Sequence, residues 1–145
     1  MITIKSAREI ELMKNAGNIL AKTRELLVPH IKPGVTTHEL DVLADKFIRD
    51  LGAIPSFKDY NGFPGSICAS VNDVLVHGIP SKDVVLKDGD VITLDIGACY
   101  KGYHGDSAWS YFVGTPSEEA KRIMEVTEQS LYEGSDKYKK FKNNY

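Results

Sequence analysis

The sequence predicts an α+β fold, with helices packed on one face of an antiparallel sheet. Three observations carry that expectation. The N-terminal third shows helical periodicity behind two capping boxes. The middle is cut into short strand-like runs by Gly, Pro and Asn-Asp punctuation. Two long strand-like segments, Val91 to Tyr100 and Tyr103 to Val113, are separated only by Lys101-Gly102.

Ser6 followed by Glu9 makes the first capping box, and Ile10, Met13, Ile19, Leu20 and Leu27 then recur at helical spacing until Pro29. Thr36 and Glu39 open a second helix with an apolar face of Leu40, Leu43, Phe47, Ile48 and Leu51, closed by Gly52. The link Lys32-Pro33-Gly34 is short, so an antiparallel helix pair is expected. Beyond Ala53, Pro55, Gly62, Pro64 and Gly65 mark loops. Ser66 to Val71 and Val74 to His77 read as short strands around Asn72-Asp73, and Lys87 to Asp90 reads as a turn. The glycine of Lys101-Gly102 suits a tight two-residue hairpin.

Thr115 is expected to cap a third helix, with Pro116 at its first position and Glu118 completing a box. Ala120, Ile123, Met124, Thr127 and Leu131 share one face of it, and Gly134 ends it. Residues 135–145 hold Lys137, Lys139, Lys140 and Lys142 without apolar periodicity and read as a solvated tail. The chain thus divides into residues 1–134 and a lysine-rich tail, 135–145.

With 145 residues, 42% of them apolar and 26% charged, the chain fits one globular domain able to bury a core. A formal net charge of -2 and a pI near 6.1 give no basic field to draw nucleic acid or an anionic membrane. No apolar run approaches the roughly 20 residues that span a bilayer. Cys68 and Cys99 sit in no secretory framework and follow no signal peptide, so reduced thiols in the cytoplasm are expected.

Side chains alternate along a strand, so Asp95 shares a face with Val91, Thr93, Gly97 and Cys99, while Ile92, Leu94, Ile96 and Ala98 form the apolar face. If Tyr100 pairs with Tyr103, Asp95 lies opposite Ala108 and diagonal to Asp106, with both carboxylates on one face. Two like charges held this close repel unless a proton or cation lies between them, and hard divalent cations take carboxylate oxygens readily. The same alternation also fits a solvated sheet face. Against that, Asp is depleted in strands, and Gly97 and Gly105 leave room beside the aspartates.

His77 lies in Val76-His77-Gly78-Ile79-Pro80, where glycine and proline fix a turn that presents the imidazole rigidly; a lone histidine also fits a structural role. His104 falls on the carboxylate face by parity. His30 and His38 read as surface residues. Cys68 and Cys99 read as small buried hydrophobes, since no histidine is placed by sequence to activate them.

Several strings, in their order and spacing, resemble the type I methionine aminopeptidases. These are Tyr60-Asn61-Gly62-Phe63-Pro64-Gly65-Ser66-Ile67-Cys68-Ala69-Ser70-Val71-Asn72-Asp73, then Val76 to Pro80, Leu94-Asp95-Ile96-Gly97 and Gly105-Asp106-Ser107-Ala108. The resemblance runs from about Ile4 to about Gly134. It implies the first half of a pita-bread fold and removal of N-terminal methionine from newly made polypeptides when the next residue is small. It implies two divalent cations (Co, Mn, Fe or Zn), with Asp95 chelating one and Asp106 bridging both. His77 would act on the substrate amide, and Tyr60, Phe63 and Cys68 would line the methionine pocket, with Phe57 beside them. The family's remaining ligands, a histidine and two glutamates, match no motif here. A half-domain also leaves apolar edge surface uncovered, a route to self-association.

Overall fold

The computed structural model describes the backbone of residues 4–142 and the side chains of residues 4–139. Both capping boxes form. Ser6 precedes α1 (Ala7–Leu27): its Oγ accepts from the Glu9 N–H, and its own N–H donates to the Glu9 carboxylate at 2.7 Å. Thr36 and Glu39 repeat the arrangement ahead of α2 (Thr37–Asp50). Each box satisfies amides that a helix start leaves unpaired. The same backbone bonds hold both glutamates below the usual carboxylate range. Pro29 falls in a 3-10 turn, Val28–His30, directly after α1.

Strands β1 (Ile54–Pro55), β2 (Ile67–Val71), β3 (Val91–Tyr100) and β4 (Tyr103–Phe112) form one antiparallel sheet. β4 pairs with β3 from Val91↔Phe112 to Tyr100↔Tyr103, and β1 and β2 share the other edge of β3. Lys101 and Gly102 both have positive φ, +50° and +84°, which matches the twist of a two-residue hairpin. The expected register is therefore the observed one.

The apolar face is the core. Ile92, Leu94, Ile96 and Ala98 are at most 2% exposed and pack with Leu20, Leu27, Leu40 and Ile48. Each such Leu or Ile side chain stabilises the fold by about 1.5–3 kcal/mol through burial. α1 lies on β3 and β4, and α2 on β1 and β2. At Gly105 the helix comes so close that a Cβ would stand 3.0 Å from Leu20 Cδ1 and 3.1 Å from the Gly17 nitrogen. Nearby, the Arg24 guanidinium lies 5.1 Å from the centre of the Trp109 ring.

Four local expectations are corrected. Val74 to His77 is not a strand: after the turn at Asn72-Asp73 these residues leave the sheet, with Leu75 88% exposed, because nothing lies beside them to bury their apolar side chains. Pro55, taken as a loop marker, sits in β1, where a two-residue edge strand tolerates a missing N–H. α3 (Glu118–Lys142) starts after Ser117, whose Oγ accepts from the Ala120 N–H at 3.1 Å, while the Thr115 N–H is taken by Asp88. It then runs through Gly134 into the lysine-rich segment.

A mid-helix glycine costs only about 1 kcal/mol relative to alanine. Gln129–Glu133 and Lys139–Asp136 pairs support the helix on either side of Gly134. The segment is exposed as far as its side chains are described, and residues 143–145 lie outside the described residues. No helix among the described residues is long and apolar enough to cross a membrane.

Candidate active site

The register of β3 decides where the carboxylates go. Asp95 stands opposite Cys68 on one side and Ala108 on the other, and Asp106 stands opposite Gly97. Both therefore leave the sheet on the face turned away from α1. Asp106 is exposed and Asp95 half-buried. Within Asp95, Oδ1 is fully buried and has no hydrogen-bond partner among the described residues. Burial, followed by the charge of Asp106 and a hydrogen bond with it, raises the Asp95 carboxyl from 3.8 to about 6, against a lowering by His77.

An orphaned carboxylate oxygen beside a second carboxylate is a donor set that fits a hard divalent cation. The fit is partial. Among the described residues, no group of three or more His, Cys, Asp or Glu side chains is placed to hold a metal ion.

The space beside Asp95 has a different occupant. A Cβ at Gly97 would lie 2.6 Å from Phe57 Cε1 and 2.9 Å from Ser56 Cβ, so the Phe57 ring fills the place of a side chain there. The Ser56 N–H donates to the Gly97 carbonyl at 2.9 Å, and Ser56 Oγ lies 2.9 Å from His104 Nδ1. His104 is thus on the carboxylate face, as parity indicated, and is held by Ser56. His30 is exposed and His38 half-buried.

Residues 57–63 wind through tight turns. The Tyr60 N–H donates to the Phe57 carbonyl, and the Phe63 N–H to that of Tyr60. Asp59, Asn61 and Gly62 take positive φ to allow it. His77 also lies in the left-handed region, at φ +56°. The result is one cleft of about 560 Å³ lined by Tyr60, Phe63, Cys68, His77, Asp95 and Asp106, with Phe57 and Ile79 in its wall. An apolar wall, one imidazole and an acidic floor suit a ligand with an apolar side chain next to a polar, reacting end.

Cys68 is 4% exposed, and its thiol is pushed up to about 11, first by burial and then by Asp95, Asp106 and Asp41. It stays protonated and packs as a hydrophobe, as expected. Cys99 is only half-buried. Sequence reasoning missed Asp41: its Oδ1 accepts from the Ser66 and Ile67 N–H groups at 2.7 and 3.0 Å, fixing the start of β2 and hence Cys68. On α2 it reads as one more polar residue, so no local signal marks it.

Methionine aminopeptidase 1 of Bacillus subtilis (strain 168) is 60% identical to this chain over 134 residues, covering 92% of the chain and 54% of the relative. Methionine aminopeptidase of Clostridium acetobutylicum is 50% identical over 137 residues, covering 94% and 55%. The crystal structure of methionine aminopeptidase from Rickettsia prowazekii matches with a TM-score of 0.89 at 39% identity, over 92% of this chain and 54% of that one. The chain spans about half the length of the curated relatives it matches. Its three helices and antiparallel sheet are an α+β half of the pita-bread fold of those structures. Residues 11–144 match the model of Metallopeptidase family M24, and the chain belongs to that family.

Proposed function

We propose that the cleft is part of a metal-dependent aminopeptidase that removes N-terminal methionine from newly made polypeptides, in the cytoplasm, when the next residue is small. The observation that carries this reading is that Tyr60, Phe63, Cys68, His77, Asp95 and Asp106 line one cleft. The likeness to enzymes named methionine aminopeptidase supports it.

Asp95 and Asp106 would help hold two divalent cations, Co, Mn, Fe or Zn. Residues outside this chain would complete the set. When bound, the cations supply Lewis acidity toward the scissile carbonyl and the attacking water.

The chain's own side chains do the rest. Tyr60, Phe63 and the protonated Cys68 offer a thioether a polarisable apolar wall. Phe57, seated on Gly97, closes that wall next to Asp95. His77, at the rim, would donate a hydrogen bond to the oxygen of the substrate amide and stabilise the charge that develops there.

The test is methionine release from Met-Ala-Ser by the 145-residue chain with Mn²⁺ or Co²⁺, beside Asp106→Asn. Release that disappears in the variant supports the reading. No release with either metal confines the activity to a longer parent that supplies the remaining ligands, or favours a second reading, a non-catalytic remnant that binds a cation or peptide weakly. That only two carboxylates pair among the described residues favours that alternative. It predicts cation-induced NMR shifts around Asp95 without cleavage.

A further inference from the structure

The segment that carries His77 has no strand of its own and, past the turn bond from the Val74 N–H to the Val71 carbonyl, is tied to β2 at Gly78. Residues 74–77 are exposed, whereas Gly78 is buried. The Gly78 N–H donates to Ser70 Oγ at 3.1 Å, and its carbonyl accepts from the Ala69 N–H at 2.9 Å. No side chain fits at this position. A Cβ on Gly78 would stand 2.3 Å from the Ala69 carbonyl oxygen and 2.8 Å from Ser70 Cα. β2 therefore grips Gly78 through both of its backbone polar groups.

His77 immediately precedes this grip and takes a left-handed conformation, which disfavours any residue with a Cβ. Such a conformation persists only where the surroundings impose it. Ser70 is 5% exposed and stands two residues beyond Cys68, the residue opposite Asp95. One short strand thus sets both the aspartate's neighbour and the anchor of the imidazole.

We infer that Ser70 is the positioning residue for His77: its hydroxyl anchors Gly78 and so fixes the height of the imidazole over Asp95 and Asp106. The catalytic consequence rests on the role proposed for His77; the anchoring itself does not. An alternative is that Ser70 serves only general stability, as any satisfied buried hydroxyl does. The two differ in what moves when the hydroxyl is lost.

Ser70→Ala removes the acceptor and leaves a buried N–H unpaired. In NMR of the full chain, Gly78 amide exchange should quicken about tenfold relative to the β2 amides, the equivalent of one net hydrogen bond. The three-bond HN–Hα coupling of His77 should shift at the same time, and Ser70→Thr, which keeps a hydroxyl, should restore both. Ile48→Val, in the core far along α2, should lower global stability without moving His77.

An unshifted His77 and a protected Gly78 in Ser70→Ala would overturn the inference. If that variant does not fold, the wild-type chain decides: Gly78 must be protected while Leu75 and Val76 exchange freely, and equal exchange of all three overturns it. A Met-Ala-Ser assay on the same samples separates the two levels. NMR changes in a chain that cleaves nothing keep Ser70 as the anchor, independently of the function proposed for the cleft.

Discussion

The two faces of the β3–β4 hairpin are built from the same backbone and obey different rules. On one, Ile92, Leu94, Ile96 and Ala98 are sealed under α1 and α2, and every position is explained by apolar burial. On the other, Asp95 and Asp106 share a surface with Thr93, Gly97 and His104, and the fold pays for keeping a buried carboxylate oxygen without a hydrogen-bond partner among the described residues. A stable hairpin needs only the first face. The second is a local conflict of the kind proteins keep where a ligand resolves it.

The sharpest way to break the contrast is Leu94→Ala, which opens a cavity in the sealed face. It should cost about 2–5 kcal/mol in urea unfolding. Gly97→Ala, on the opposite face, should cost about 1–3 kcal/mol, because its Cβ meets the Phe57 ring. Its distinguishing sign is a displaced Phe57 in NMR, with the core resonances unchanged.

Asp95→Asn should do the reverse of both and raise the thermal midpoint at pH 7 in metal-free buffer, since it removes the repelling charge. A lowered midpoint would mean that the carboxylate is stabilised by a partner. The associated pH dependence has a definite sign. The folded Asp95 carboxyl sits near 6 and its ordinary value is 3.8, so the folded chain holds the proton longer than the unfolded one. The contribution of Asp95 to stability is complete below about pH 4 and is lost as pH rises through about 6. This slope should vanish in Asp95→Asn and flatten when Mn²⁺ is added to the wild-type chain.

The smallest effect belongs outside the hairpin. Gly134→Ala should raise helicity by circular dichroism, adding about 1 kcal/mol to α3 alone. The unfolding midpoint should stay in place, because Ile123, Val126 and Leu131 of α3 are more than half exposed and bury little.

What the sequence disclosed was whatever depends on near neighbours. The capping boxes join residues three apart, and hairpin parity follows from one two-residue turn, so α1, α2, β3, β4 and the placing of Asp95 and Asp106 were legible. Motif strings supplied His77, Tyr60, Phe63 and Cys68, and the structure brings all four to the aspartates.

Contacts between distant positions were not legible. Asp41 meets Ser66 across 25 residues, and Ser56 meets His104 across 48. Nothing local marks either. Val74 to His77 looked like a strand because the apolar side chains of Val74, Leu75 and Val76 suit one, but a strand also needs a neighbour along its length, and the contact with β2 is made beyond it, at Gly78. At Gly134 the local stop signal was outweighed by the helix continuing on both sides.

The glycines flanking Asp106, Gly97 across the strand pair and Gly105 beside it, leave the sheet bare on both faces at one place. The Phe57 ring presses on it from the cleft and the backbone of α1 from behind. A single layer of main chain is all that separates the pocket wall from the first helix. An occupant that shifts Phe57 is therefore mechanically coupled to α1, and α1 carries Arg24 against the chain's single tryptophan. The expected outcome is that Trp109 emission changes when the cleft is filled, a readout that needs no label, and unchanged emission on filling would show that the coupling does not reach α1.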